Sequence, residues 1–181
     1  MVRTINLFAG PGAGKSTTAA GLFSLMKLEG FNVELVTEFA KDIVYEECSS
    51  KLHNQLYIFA KQQHRLWRIM NYYSNKGENV FIITDSPLLL TLIYADDITP
   101  EFEAVILKEF KRFNPINILL KRVKKFNPLG RLQTEKEAKS IDARIKALLN
   151  KYNLPYHDGI PGDRNAPKEI FKLLKEAKYV D

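Results

Sequence analysis

Residues Ile5 to Leu22 read INLFAGPGAGKSTTAAGL, an apolar strand pattern that runs into a glycine-rich turn and then a helix opening on Lys-Ser. Few local patterns constrain a chain so tightly, because this turn has chemical meaning only with a strand before it and a helix after it. Gly10, Gly12 and Gly14 let the backbone bend so that successive N–H groups face inward as a nest for phosphate oxygens. Pro11 and Ala13 complete the turn between them. The helix that follows brings its positive dipole end to the same anion. Lys15 is placed to reach the β- and γ-phosphates, the Ser16 hydroxyl to ligate Mg²⁺, and Thr17 to complete the phosphate-binding turn. The strict pattern has glycine where this chain has Ala9. Alanine is small, and clearance is what that position needs. The expectation is a phosphate-binding loop that holds ATP with Mg²⁺ over Gly10 to Thr17.

The rest of the chain alternates strand and helix. Expected strands are Thr4 to Ala9, Phe31 to Val36, Val80 to Thr84, Ile116 to Val123 and Leu154 to Asp158. Between them lie helical patterns at Lys15 to Leu28, Phe39 to Glu47 and Leu52 to Tyr73. Ser86-Pro87 is expected to cap and open a further helix. Thr99-Pro100 starts another, with Phe102, Val105, Ile106, Phe110 and Phe113 on one stripe. Thr134 to Glu137 reads as a capping box ahead of a helix with Ala138, Ile141, Ile145, Leu148 and Leu149 inward. Pro167 to Ala177 is the last helix. Alternation of this kind predicts an α/β fold, a five-stranded parallel sheet flanked by helices on both faces. At 181 residues, with no repeat and no linker, the chain is expected to form one domain over 1–181 with a short basic lid at about 122–144.

Composition narrows the setting. Cys48 stands alone and has no internal disulfide partner, so a reducing, cytoplasmic environment is expected. Met1 leads straight into the first strand, which leaves no export signal to expect. The longest apolar run, Leu88 to Tyr94, is far too short for a bilayer, so no membrane partner is expected. Net charge of +6 suits anionic ligands from nucleotides to nucleic acid and does not choose between them.

Ligands of open parallel sheets bind at the carboxyl ends of the strands, and several strands here end in polar chemistry. Asp85 closes VFIIT, as an acid that serves the Mg²⁺ shell would, and it also fits an ordinary helix cap. Glu38 follows VELVT, where it can orient or deprotonate an acceptor hydroxyl or simply cap the next helix. Lys121 to Arg131 carries five cations in eleven residues. As a flap over phosphates it would offer Arg131 as the first transition-state arginine, Arg122 as the second and Arg144, on the following helix, as the third. Gln62, Gln63, His64 and Arg65 interrupt the long helix, as a polar outer face or as groups that read a base or sugar edge. Leu56, Phe59, Ala60, Leu66, Ile69 and Met70 of that helix are expected in the core.

With these residues in place, the chain resembles the NadR-like P-loop kinases, an AAA-labelled group that includes the ribosylnicotinamide kinase domain of an NAD-biosynthesis regulator. The likeness rests on GPGAGKST, Glu38 to Lys41, the strand ending in Asp85, the glutamines of the long helix, and Asp158-Gly159 with Asp163 to Ala166. The layout is also similar to deoxynucleoside and nucleoside monophosphate kinases, which implies an acceptor contact for Glu38 and phosphate clamping for Arg131. A further resemblance is to stand-alone P-loop proteins of large phage genomes, which would mean the host cytoplasm. What this implies is an ATP-dependent phosphotransferase acting on a nucleoside- or nucleotide-like small molecule. A kinase directed at nucleic acid and an ATPase switch acting on a partner are the alternatives.

Overall fold

The computed structural model describes residues 1–123, 125, 127 and 134–180. Its sheet has five parallel strands in the order β2-β3-β1-β4-β5. These are β1 (Val2–Phe8), β2 (Val33–Val36), β3 (Val80–Thr84), β4 (Pro115–Lys121) and β5 (His157–Pro161). The helices among the described residues are α1 (Lys15–Leu28), α2 (Phe39–Tyr45), α3 (Gln55–Asn75), α4 (Thr91–Tyr94), α5 (Pro100–Arg112), α6 (Glu135–Lys151) and α7 (Ala166–Glu176). The expected α/β architecture is the observed one.

Each central strand buries both faces, and alternation divides the core in two. Ile5, Leu7 and Ala9 face Leu22 and Met26 of α1 and Ile170 and Leu174 of α7. Phe8, Ile82 and Leu119 face the other way, toward Leu66 of α3, Phe110 of α5 and Ile145 of α6. Phe8 meets Phe110 edge to face at 6.3 Å between ring centroids. Polar residues also sit inside this second layer. Asn6 Nδ2 donates to Asn117 Oδ1 at 3.1 Å across the β1–β4 ladder, and Asn117 Nδ2 donates to Pro155 O at 2.9 Å.

Several local expectations need correction. Phe31 and Leu154, read as strand residues, instead close the helices before them. Gly30 has φ +86° and Phe31 N–H donates to Met26 O at 3.0 Å; Asn153 has φ +49° and Leu154 N–H donates to Leu149 O at 3.0 Å. An apolar residue after a left-handed helix end packs back on its own helix and so mimics the start of a strand. Strand β5 therefore begins three residues late, at His157. Ser86 does not cap a helix: its N–H donates to Thr84 Oγ1, and Leu88–Leu90 form a 3₁₀ turn, all three leucines buried, before the single turn of α4. Val105 is exposed and off the stripe of α5. Leu56 and Ala60 of α3 are exposed as well. The capping box at Thr134 forms as expected, with Glu137 returning to the Thr134 N–H.

Replacing Asn117 by leucine should strip the partner from the buried Asn6 Nδ2, whereas the carbonyl of exposed Pro155 can turn to water. The expected cost is about 1–3 kcal/mol, that of one stranded buried polar group. Urea unfolding of Asn117→Leu measures it; a loss within error of zero would mean that the pair contributes no net stability.

Candidate functional site

Strand β1 delivers the chain into the loop at the carboxyl edge of the sheet, and α1 leaves it. Gly12 and Gly14 adopt φ +80° and +102°, the left-handed region that side chains resist, so the turn is built on them. Gly10 is needed for a different reason. A Cβ there would stand 2.4 Å from Ala138 O and 3.0 Å from Asp142 Oδ1 on α6. Ala9 is fully buried beneath the turn, which accounts for a small residue at that position.

Two other elements hold the loop in place. Asp142 of α6 accepts the Gly10 N–H at 2.5 Å through one oxygen and Arg122 Nε at 2.7 Å through the other. Arg122, just past β4, also donates to Pro11 O at 2.8 Å and to Ala138 O at 3.5 Å, with its side chain only 11% exposed. On the opposite side, the turn after β5 packs Gly162 directly against the loop. A Cβ on Gly162 would lie 1.9 Å from Ala13 O, and one on Gly14 would lie 2.5 Å from Gly162 O. The Gly162 N–H donates to Lys121 O at 2.9 Å, which ties that turn to the end of β4.

Lys15 opens α1, and its Nζ bends back to donate to Ala9 O at 2.7 Å and Gly10 O at 3.2 Å. Burial pushes its ammonium below the usual lysine range, against the negative charges of Glu38, Asp85 and Asp142. Burial likewise pushes the Glu38 carboxyl above the usual carboxylate range, with Lys15 working the other way. Asp85, just past β3, is 4% exposed, and its Oδ1 has no hydrogen-bond partner among the described residues. Ser16 and Thr17 lie exposed in the first turn of α1. The structure thus brings Lys15, Glu38 and Asp85 to one place from three separate strand ends. Arg122 joins them through the loop backbone. Arg131, its neighbour Gly130 and most of the basic loop at 124–133 lie outside the described residues. Arg144 Nη2 donates to Ile93 O at 2.6 Å and ties α6 to α4, and its charge reaches Tyr94, which also feels Glu38.

Glu38 is fixed from behind. Gln62 of α3 is 3% exposed; its Oε1 accepts the Phe39 N–H at 3.0 Å and its Nε2 donates to Thr37 O at 3.3 Å. The residues on both sides of Glu38 are therefore pinned by one side chain, which is not the polar outer face that Gln62 was expected to join. Sequence reasoning also passed over three groups. Asp142 falls one position after Ile141 on the inward stripe of α6, an acid at a core-facing spacing, and that signal was readable. Tyr94 of α4 lies close enough to Glu38 to feel its charge, and desolvation above all raises its phenol pKa. Gly162 carried no signal beyond its turn.

The family model described as an AAA domain matches residues 4–166. The chain belongs to that family and has the fold of the P-loop NTPases, which makes it a nucleotide-binding domain. Comparison with curated proteins gives no match. Among the described residues no helix is long and apolar enough to cross a membrane.

Gly162→Ala tests the clamp from β5. The added methyl has no room beside Ala13 O, so the amides of Ala13 and Gly14 must move. Affinity for Mg·ATP by calorimetry should fall roughly tenfold or more, the equivalent of about 1.4 kcal/mol. Unchanged affinity would show that Gly162 does not position the loop.

Proposed function

We propose that this AAA-family chain is an ATP-dependent phosphotransferase that moves the γ-phosphoryl group to a hydroxyl or phosphate oxygen of a nucleoside- or nucleotide-like small molecule. The observation that carries this reading is the half-buried carboxylate of Glu38, past the end of a second strand and within charge range of Lys15, with desolvation pushing the carboxyl above its usual range. A module that only bound or hydrolysed ATP would have less use for a desolvated acid fixed at both flanks by Gln62. The resemblance to NadR-like and nucleoside monophosphate kinases supports the same class.

In this reading the loop amides from Gly12 to Thr17 cradle the triphosphate, and Lys15 exchanges Ala9 O and Gly10 O for phosphate oxygens. Asp85 and Ser16 suit a Mg²⁺ ion that keeps most of its water shell: the buried Oδ1 of Asp85 lacks a protein partner and Ser16 is open. Bound there, the ion would neutralise charge on the phosphates. Glu38 accepts the proton of the acceptor hydroxyl as its oxygen attacks phosphorus, and the bond to ADP breaks in line. Arg122 holds Pro11 and Asp142 so that the amides stay aligned, and is near enough to Lys15 to share the phosphate charge. Arg131 is proposed as a second cation over the phosphates.

Purified chain incubated with labelled ATP, Mg²⁺ and a panel of nucleosides, nucleoside monophosphates and nicotinamide riboside should transfer label to at least one of them. Lys15→Ala should abolish that transfer with the fold retained by circular dichroism. Transfer to none of the panel, or undiminished transfer by the variant, would defeat the proposal.

The proton step has its own signature. A base must be ionised, and the Glu38 carboxyl sits above its ordinary 4.5. The kcat/KM profile of the free enzyme should therefore rise with pH through a value above that, and fall away on the acid side. Glu38→Gln should flatten that limb and lower kcat by roughly a hundredfold or more. A variant that keeps the limb would assign it to another group.

A further inference from the structure

Helix α4 is a single turn that follows three buried leucines past Asp85, and its own Thr91 and Ile93 are buried as well. So short a helix is not held by its own hydrogen bonds. It is held from outside: α4 packs against α3 and α6, and Arg144 of α6 donates to the Ile93 carbonyl, one of those that a helix end leaves unpaired. Tyr94 is the residue this anchored turn presents. It is half-buried, with its ring packed on the core layer, and Glu38, Arg144 and Asp142 all lie close enough for their charges to act on its hydroxyl. Burial above all, then the charge of Glu38, raises the phenol above the usual tyrosine range, so it keeps its proton and can donate it in a hydrogen bond. The polar groups around it are committed. Lys15 is bonded to Ala9 O and Gly10 O, Gln62 to the main chain on both sides of Glu38, and Asp142 to Gly10 N–H and Arg122. Two groups are not. Among the described residues neither the Glu38 carboxylate nor the Tyr94 hydroxyl has a hydrogen-bond partner. Neither belongs to the fully buried oxygens that go unpaired, which are those of Thr4, Thr18 and Asp85, so both are open to a ligand. A carboxylate that only accepts and a phenol that donates are thus left free within charge range of each other.

We propose that Tyr94 binds the acceptor: its hydroxyl donates a hydrogen bond to the same acceptor oxygen that Glu38 deprotonates, and the two groups together aim that oxygen at phosphorus. This rests on the phosphotransferase reading. A carboxylate alone takes the proton but leaves the oxygen free to swing about its own C–O bond. A second hydrogen bond, to one lone pair, fixes where the other lone pair points. The proton passes from the acceptor hydroxyl to Glu38, the new O–P bond forms, and the bond to ADP breaks. Tyr94 keeps its proton throughout, and its hydrogen bond is strongest while negative charge builds on the attacking oxygen. Arg144 acts behind it as a positioning residue, by holding the carbonyl of the residue before Tyr94.

The test uses the full chain with Mg²⁺ and a non-hydrolysable ATP analogue, its tyrosines isotope-labelled at the ring carbon that bears the hydroxyl. The NMR signal of Tyr94 is the one lost in Tyr94→Phe. Titration with adenosine, guanosine, cytidine and uridine, with their monophosphates, and with nicotinamide riboside should move that signal for at least one compound, the one that also takes label from ATP. For that compound Tyr94→Phe, which removes only the hydroxyl, should lower kcat/KM roughly tenfold or more, while the affinity for the ATP analogue stays as it was. A Tyr94 signal that no compound moves overturns the contact. Label transfer that Tyr94→Phe leaves undiminished overturns it too, and leaves the phosphotransferase reading standing. Loss of affinity for the ATP analogue in Tyr94→Phe overturns it in favour of a structural role. A compound that moves the signal and binds Tyr94→Phe more weakly, yet takes no label, leaves the contact standing and removes the phosphotransferase reading.

Discussion

The arrangement of this molecule depends on one demand: a run of backbone amides must face inward and stay there without a ligand to hold them. Glycine makes such a turn possible, and it also makes it soft. The stiffness comes from outside. Asp142 and Arg122 grip Gly10 and Pro11 from the α6 side, and Gly162 presses on Ala13 and Gly14 from the β5 side at separations that leave no space for a methyl group. A turn that would cost conformational entropy to order on binding is ordered by the fold instead, which is how preorganised dipoles favour charge that arrives later.

That rigidity has an electrostatic consequence. Glu38, Asp85, Asp142 and Arg122 all lie close enough to Lys15 for their charges to act on it, and the formal charges of the five nearly cancel. Burial alone would neutralise Lys15, and the three acids around it oppose that. Two main-chain carbonyls complete its hydrogen bonding. The lysine is only loosely committed, since carbonyl oxygens are weaker partners than phosphate oxygens. Asp142 serves differently, as a fixed strut for Arg122, so removing it would leave a nearly buried guanidinium half-satisfied.

How much of this was legible in the sequence follows from the range of each interaction. The loop, its flanking strand and helix, and the acids at the ends of β2 and β3 are local patterns, and each was placed correctly. Phe31 and Leu154 failed for a shared reason: the left-handed residue before each turns an apolar side chain back onto its helix, and hydrophobicity alone cannot tell that from a strand. Gln62 failed because polarity was taken for exposure, whereas its two amide groups are consumed by the main chain around Glu38. Gly162 was beyond reach, because its role depends on a clearance between segments some 150 residues apart.

Helix α3 holds the segment that carries Glu38. Its inner face sends Gln62 to Thr37 O and the Phe39 N–H, and its outer face sends Arg65 to the same Thr37 O. The three residues Thr37 to Phe39 are thus gripped from adjoining turns of one rigid helix, with the acid between them. The precision that proton transfer requires, a few tenths of an ångström, is within what a packed helix supplies and a free loop does not.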